Sequence, residues 1–315
     1  MAYSLGGLIA APDYNNFVGT SPSSTVNTIN TVWAVGSGSA GYGQTPLSTV
    51  STAGLVTATQ WATLINTLNS ILTHQAGSGS GISAVTAGQQ INYLSTLSTS
   101  ISTAYTNRLT FASNSAAIAG SALSTAWTSA TTTSTLTRAF GARAAFASAD
   151  QARYFFNAGG RLKFNCSGTQ NASTTGRTND VISMLGFLGG VGLFGANTNT
   201  GRSGTGGTLN TNDTTKGYYT GTYNANVTLV AITSTTAAYT SDTASIAVSM
   251  NGTQGTNNDM GLNVDFWITL NSTQGTGGVS FDDSLGVNVI RSIDVSPPEV
   301  TNLTNTWGTV TVTAL

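Results

Sequence analysis

Side chains that carry charge are nearly missing from this chain. Of 315 residues, 10 are Lys or Arg, 11 are Asp or Glu and one is His, so 7% are charged. An ordinary globular protein has about 25%. Such a chain cannot solvate its surface with ionised groups and must turn Thr, Ser, Asn and Gly to water. It is also short of the residue types that make acid–base pairs, metal sites and phosphate clamps. The net charge of −1 leaves little repulsion between copies. That balance favours self-association and gives no attraction to nucleic acid or to an anionic membrane. The composition predicts a protein that works by shape and assembly and is not an enzyme.

A folded core is nonetheless expected. Apolar residues make up 39% of the chain, and Trp33, Trp61, Trp127, Trp267 and Trp307 are spread along it. Disorder requires low hydrophobicity together with high net charge. The single Cys166 has no internal partner for a disulfide. The opening residues MAYSLGGLIAAPDY lack the basic start of a secretion signal. No apolar run approaches the roughly 18 residues of a membrane-spanning helix. Synthesis in a cytoplasm and no membrane insertion are the expectations.

Periodicity divides the chain. Residues 1–110 read as helical with loops, an attachment or oligomerisation region. A short helix is predicted over Pro12–Val18 and another segment over 25–35, followed by the Gly-rich loop GSGSAGYGQTP. Thr57 and Gln60 form a possible capping box. Trp61, Leu64, Ile65, Leu68, Ile71 and Leu72 then recur on one helical stripe. Thr86 and Gln89 repeat the capping pattern, with Ile91, Leu94, Leu97, Ile101 and Tyr105 as a second stripe. The pair predicts a helical hairpin. Two roles stay open for Trp61, Leu64, Leu68, Ile71, Ile91, Leu94 and Ile101: core of one chain, or a seam between copies.

Residues 111–315 read as β-rich. Runs of Thr, Ser and aromatic residues, cut by Gly, Asn and Asp clusters, predict strands over 122–129, 132–140, 160–166, 217–223, 226–232, 243–250, 260–271, 286–295 and 307–313. Asp180–Phe194 reads as a helix running into an apolar Gly loop. The predicted fold class is α+β, a helical region followed by a mainly antiparallel, sandwich-like β domain.

Candidate chemistry is sparse. His74 closes the first long helix, where the dipole favours a cation, and has no second ligand nearby. Asp282 and Asp283 resemble part of a calcium loop, but the closing Glu is missing and a turn is the simpler reading. Asp265 meeting Asp282 or Asp283 would be the one route to a glycosidase-like carboxylate pair. The glycine clusters GGVGLFG and TGRSGTGGT lack the Gly-Lys-Ser/Thr ending of a phosphate loop. No cofactor or metal is expected. Arg138, Arg143, Arg153, Arg161 and Lys163 hold half of the ten cations and are read either as structural or as a partner contact.

The most informative stretch is 148–164. Ser148 is placed to cap a helix, with Asp150 and Gln151 in its first turn and Arg153 one turn on. Tyr154, Phe155 and Phe156 are placed to bury, and Asn157, Gly159 and Gly160 to stop the helix in left-handed geometry. Arg161–Phe164 then restarts as an alternating strand. Ser-Ala-Asp-Gln-Ala-Arg-Tyr-Phe-Phe-Asn-Ala-Gly-Gly resembles a segment recurring in structural proteins of tailed bacteriophages, especially those of cyanobacterial phages. Looser similarity extends to the Trp127 strand, Gly217-Tyr218-Tyr219, Phe281-Asp282-Asp283, residues 286–295, Asp13-Tyr14-Asn15, Gly41–Gln44 and Leu55–Trp61. The apolar segment 181–195 departs from that pattern.

The resemblance implies a virion structural role in a tail or fibre-like appendage, with viral assembly and host attachment as its setting. The implied partners are other copies of the chain, other virion proteins and a host-surface glycan. By analogy with phage fibres the homo-oligomer would be a trimer. Capsid decoration, a neck component and a glycan-recognition module are the alternatives. The resemblance brings no catalytic residues.

Overall fold

The computed structural model describes residues 11–19, 28–51, 53–129, 135–171, 175–196, 198–273 and 284–315. Four helices come first: α1 (Ala11–Val18), α2 (Ile29–Trp33), α3 (Ala58–Ala76) and α4 (Leu94–Thr106). Helix α3 begins where its cap chemistry dictates. The Thr57 hydroxyl accepts from the Gln60 amide while the Gln60 side chain accepts from the Thr57 amide, and Gly77 ends the helix at φ 77°. Its stripe Trp61, Leu64, Ile65, Leu68 and Ile71 is at most 2% exposed. Tyr14 meets Trp61 edge-on at 5.8 Å and Phe17 lies 5.9 Å from it, while α2 and α4 pack along the rest of α3.

This corrects the seam reading. Trp61, Leu64, Leu68, Ile71 and Ile101 are covered by the chain's own helices, and Ile91 and Leu94 are half-buried against the same core. The second capping pattern also fails to start a helix. The Gln89 side chain accepts from the Thr86 amide, yet Gly88 at φ +84° turns the chain there, and α4 begins only at Leu94.

The remainder is β1 (Leu123–Ser129), β2 (Thr135–Ala145), α5 (Ala149–Asn157), β3 (Arg161–Gln170), α6 (Gly176–Leu188), β4 (Val191–Leu193), β5 (Thr208–Asn212), β6 (Val227–Thr233), β7 (Thr243–Asn251), β8 (Asn263–Thr273), β9 (Leu285–Ser296) and β10 (Thr311–Ala314). All named pairings are antiparallel, in a four-stranded sheet ordered β1-β9-β3-β4 and a six-stranded sheet ordered β10-β2-β8-β7-β6-β5. The sheets face one another. Phe164 on β3 stacks on Phe266 on β8 at 5.1 Å and 5°. Arg291 on β9 donates from Nε to the Gly141 carbonyl of β2 at 2.7 Å. Helix α6 covers β3 and β9 and also touches β7 and β8, so β7 is buried over most of its length.

Most predicted strands fall where expected, with one exception. Residues 217–223 form turns, because the Gly221 amide bonds the Gly217 carbonyl and bends the backbone out of the sheet. Residues 281–283 lie outside the described residues. A single cluster of buried apolar residues runs from Ala11 to Trp307. The change near residue 110 is therefore a change of secondary structure within one core.

Phe164 and Phe266 are both fully buried between the sheets. Phe266→Ala is expected to cost about 3–5 kcal/mol, read as a lowered urea midpoint with an unchanged slope.

Candidate functional site

The stretch singled out by sequence forms the joint between the helical layer and the sandwich. Helix α5 is nine residues long and capped as anticipated, with the Ser148 hydroxyl accepting from the Gln151 amide. Its apolar side goes into the core: Phe155, Phe156 and Phe146 are mutually packed at 5.2–6.1 Å. Phe156 stacks on Tyr218 at 4.3 Å. Tyr154 lies against Gly43, where an added Cβ would meet its ring at 2.5 Å. Gly159 at φ +92° makes the turn into β3 and leaves no room for a Cβ beside Phe111.

The polar side of α5 holds the Gly-rich loop 36–44. Arg153, wholly buried, donates from Nη1 to the Ala40 carbonyl at 2.8 Å and from Nη2 to Asp150 at 3.0 Å, with its guanidinium over the Tyr154 ring. The Asn257 side-chain amide donates to Asp150 Oδ1, the oxygen that Arg153 also holds, at 3.1 Å. Asn157 donates to the Gly38 and Gly41 carbonyls at 3.1 and 3.0 Å. The Tyr219 hydroxyl sits 2.7 Å from Asn157 Oδ1 and 2.8 Å from the Gly38 carbonyl, and its one hydrogen serves one of them at a time. Burial holds the Tyr219 hydroxyl well above the usual tyrosine range, so it remains a donor.

Two further clasps close the joint. Gln44 bonds Thr304 through both ends of its amide, to the Thr304 carbonyl at 2.9 Å and from the Thr304 amide at 3.0 Å. His74 reaches the Ala158 carbonyl with Nε2 at 3.0 Å and Glu299 with Nδ1 at 3.2 Å. Both partners are acceptors, so the neutral ring, with one N–H, satisfies one of them and only the imidazolium satisfies both. Burial pushes the imidazole down, against the raising pull of Glu299 and the Ala158 carbonyl. Burial also works to raise Glu299, but hydrogen bonds from Asn302, Thr301 and His74 outweigh it and hold the carboxyl at about 2. His74 does end α3 as read from sequence, but its partners come from remote segments.

The other candidates are occupied structurally. Asp265 is 1% exposed, takes two 2.7 Å bonds from Arg143 directly across the β2–β8 pair, and accepts from Asn251. Asp282 and Asp283 lie outside the described residues. The Cys166 thiol is pushed up to about 12 by burial and rests on the Leu185 carbonyl, which closes it as a nucleophile. Among the described residues, no group of three His, Cys, Asp or Glu side chains is placed to hold a metal, and no helix is long and apolar enough to cross a membrane.

Sequence reading found the α5 residues and missed what they bind. Tyr219 falls in 217–223, which the sequence predicts as a strand. Asn257 and Glu299 carry no local signal, and Gln44 only a loose resemblance with no role attached. The one available clue was the cluster of glycines at 36–43, four of which take positive φ. Such a loop needs outside support to keep one shape. No protein-family model, curated protein or solved structure matches the chain.

Asn157→Ala is expected to strand the Gly41 carbonyl, while the Tyr219 hydroxyl still serves Gly38, and to cost about 2 kcal/mol, whereas Tyr219→Phe should cost about 1 kcal/mol. The double variant should exceed the sum, because each side chain still serves the Gly38 carbonyl when the other is removed; chemical denaturation measures all three.

Acid is expected to weaken the fold in two stages. His74 and Glu299 are both held below their free values, so the unfolded chain binds more protons than the native one and stability falls with falling pH. Loss begins below about pH 6.5 as the unfolded histidine protonates. It continues as Glu299 protonates between its free value of 4.5 and about 2. Thermal melting across this range should show the decline, and Glu299→Gln should flatten its lower part.

Proposed function

We propose that the chain is a structural protein of a tailed-bacteriophage virion, a component of the tail or of a fibre-like appendage that acts by assembly. The observation that carries this reading is the stretch Ser148–Phe164, whose resemblance to phage structural proteins falls on the residues that organise the fold. Arg153 and Asn157 bind the loop, and Phe155 and Phe156 bind the core.

The surface supports self-assembly. Sheets that must stay monomeric guard their edges with charge or proline. Here the edge strands β1 (LSTAWTS) and β5 (TLNTN) carry neither, and β5 is largely exposed. Leu55, Ile118 and Val300 add exposed apolar side chains. A neutral Thr/Ser/Asn surface lets many copies sit close without repulsion. On this reading the chain forms a homo-oligomer, proposed as a trimer, contacts other virion proteins and is made in the host cytoplasm before incorporation. Catalysis has no part in the role.

Gold-labelled antibody against the chain is expected to mark the tails of purified particles, and sedimentation of the isolated protein to show a discrete oligomer. Label on the head or neck would move the chain to a decoration or neck role. Unlabelled particles together with a stable monomer at high concentration would overturn the proposal.

A further inference from the structure

Half of the chain's cations sit at or near the α5–β3 unit, and they part company in the structure. Arg143 is paired with Asp265 and Arg153 with Asp150. Arg161 and Lys163 instead share one face of β3, at the end of the strand where β4 pairs with it. There Lys163 stands directly opposite Gly192. With no Cβ on that residue, the edge of the sheet drops away into a groove of about 370 Å³.

The far wall is the segment Thr198–Ser203. The Gly192 amide bonds the Thr200 hydroxyl at 2.9 Å, and the Thr200 amide bonds the Gly192 carbonyl at 2.9 Å, which clips this segment over β4. It delivers a third cation. Arg202 lies over Gly190, where an added Cβ would meet its Nη1 at 2.9 Å, and Gly190 itself sits at φ +101°.

The two guanidinium groups are held without a carboxylate partner. Arg161 lies between the rings of Phe111 and Phe194, 4.6 and 5.4 Å from their centroids, and its Nη2 donates to the neutral Asn114 amide oxygen at 2.8 Å. Its Nε is buried with no hydrogen-bond partner. Arg202 is fixed by its Nε on the Phe187 carbonyl at 2.7 Å. The ion pairs among the described residues involve His74, Arg143 and Arg153, and none includes Arg161, Lys163 or Arg202. One carboxylate, Asp294, faces Lys163 across the β3–β9 pair. Three cations against one anion, in a chain of net charge −1, leave a local positive site.

We propose that this groove binds the sulfate or phosphate ester of an anionic polysaccharide. Two immobilised guanidinium groups and an ammonium suit a tetrahedral oxyanion, which takes charge-assisted bonds from each. The Thr200, Ser203 and Ser296 hydroxyls on the lining match the hydroxyls of a sugar chain. A nucleic-acid backbone would need the positive track to continue, but Arg143, Arg153, Arg177 and Arg291 are spent on internal partners. The site stands on its own geometry, and a virion protein without it would still assemble.

Titration calorimetry of the full chain with dextran sulfate, plain dextran, inorganic sulfate, inorganic phosphate and single-stranded DNA tests this. Dextran sulfate is expected to bind and to weaken as salt rises, while plain dextran does not bind. Whichever inorganic anion competes better identifies the ester. Lys163→Glu, at an exposed strand position, and Arg202→Gln should each weaken binding about tenfold. Lys216→Glu, outside the groove, should leave it unchanged, with circular dichroism confirming that all three fold. Equal binding of plain dextran, tighter binding of DNA, or groove variants indistinguishable from Lys216→Glu would overturn the site. None of these results bears on whether the chain is found in particles.

Discussion

A loop of small residues has no means of holding its own shape, and residues 36–44 keep theirs because a buried guanidinium and a buried carboxamide bind their carbonyls. Arg153 and Asn157 lie one turn apart on α5, so both reach the same loop from one helix face. The loop in turn carries Tyr42, which packs on His74, and Gln44, which holds the C-terminal segment at Thr304. The helical layer, the sandwich and the last twenty residues thus meet at a short helix. An unmet polar group here would be costly, because Arg153 and Asn157 bind these carbonyls from buried positions.

Charge poverty looks different once the fold is known. Charged side chains are ordinarily the least buried of all, yet Arg153, Arg177, Arg291, Asp180, Asp242 and Asp265 are all at most 3% exposed. The scarce ions are used inside, where low dielectric makes each hydrogen-bonded charge specific for one partner geometry. The surface is left to neutral hydrogen-bonding groups. That division makes the partly exposed cations Arg161, Lys163 and Arg202 stand out.

Local rules succeeded where the relevant partners are near in sequence. The capping box at Thr57 and Gln60, the cap at Ser148 and the stop at Gly159 need only a few adjoining residues, and each forms as read. The same rules misled at Thr86 and Gln89, where half the box forms on a turn, because Gly88 takes a positive φ that a helix cannot continue. They misled again at Gly217–Tyr223. A run of Thr and aromatic residues there reads as a strand, but Tyr218 is claimed by Phe156 and Tyr219 by Asn157, and both lie across the chain.

Read alone, the sequence determined the α+β class, the helical start and β-rich remainder, and the capped helix at 149–157 with its stop. Those follow from periodicity and capping, which act over a turn or a strand. Only the tertiary structure decided that the α3 stripe is internal, that His74 belongs with Glu299 and Ala158, and that Arg202 joins Arg161 and Lys163 at one groove. Each of these brings together residues far apart in the chain. Their meeting depends on how two sheets and a helical layer stack to bury apolar surface, an energy shared over the whole core and written in no single segment.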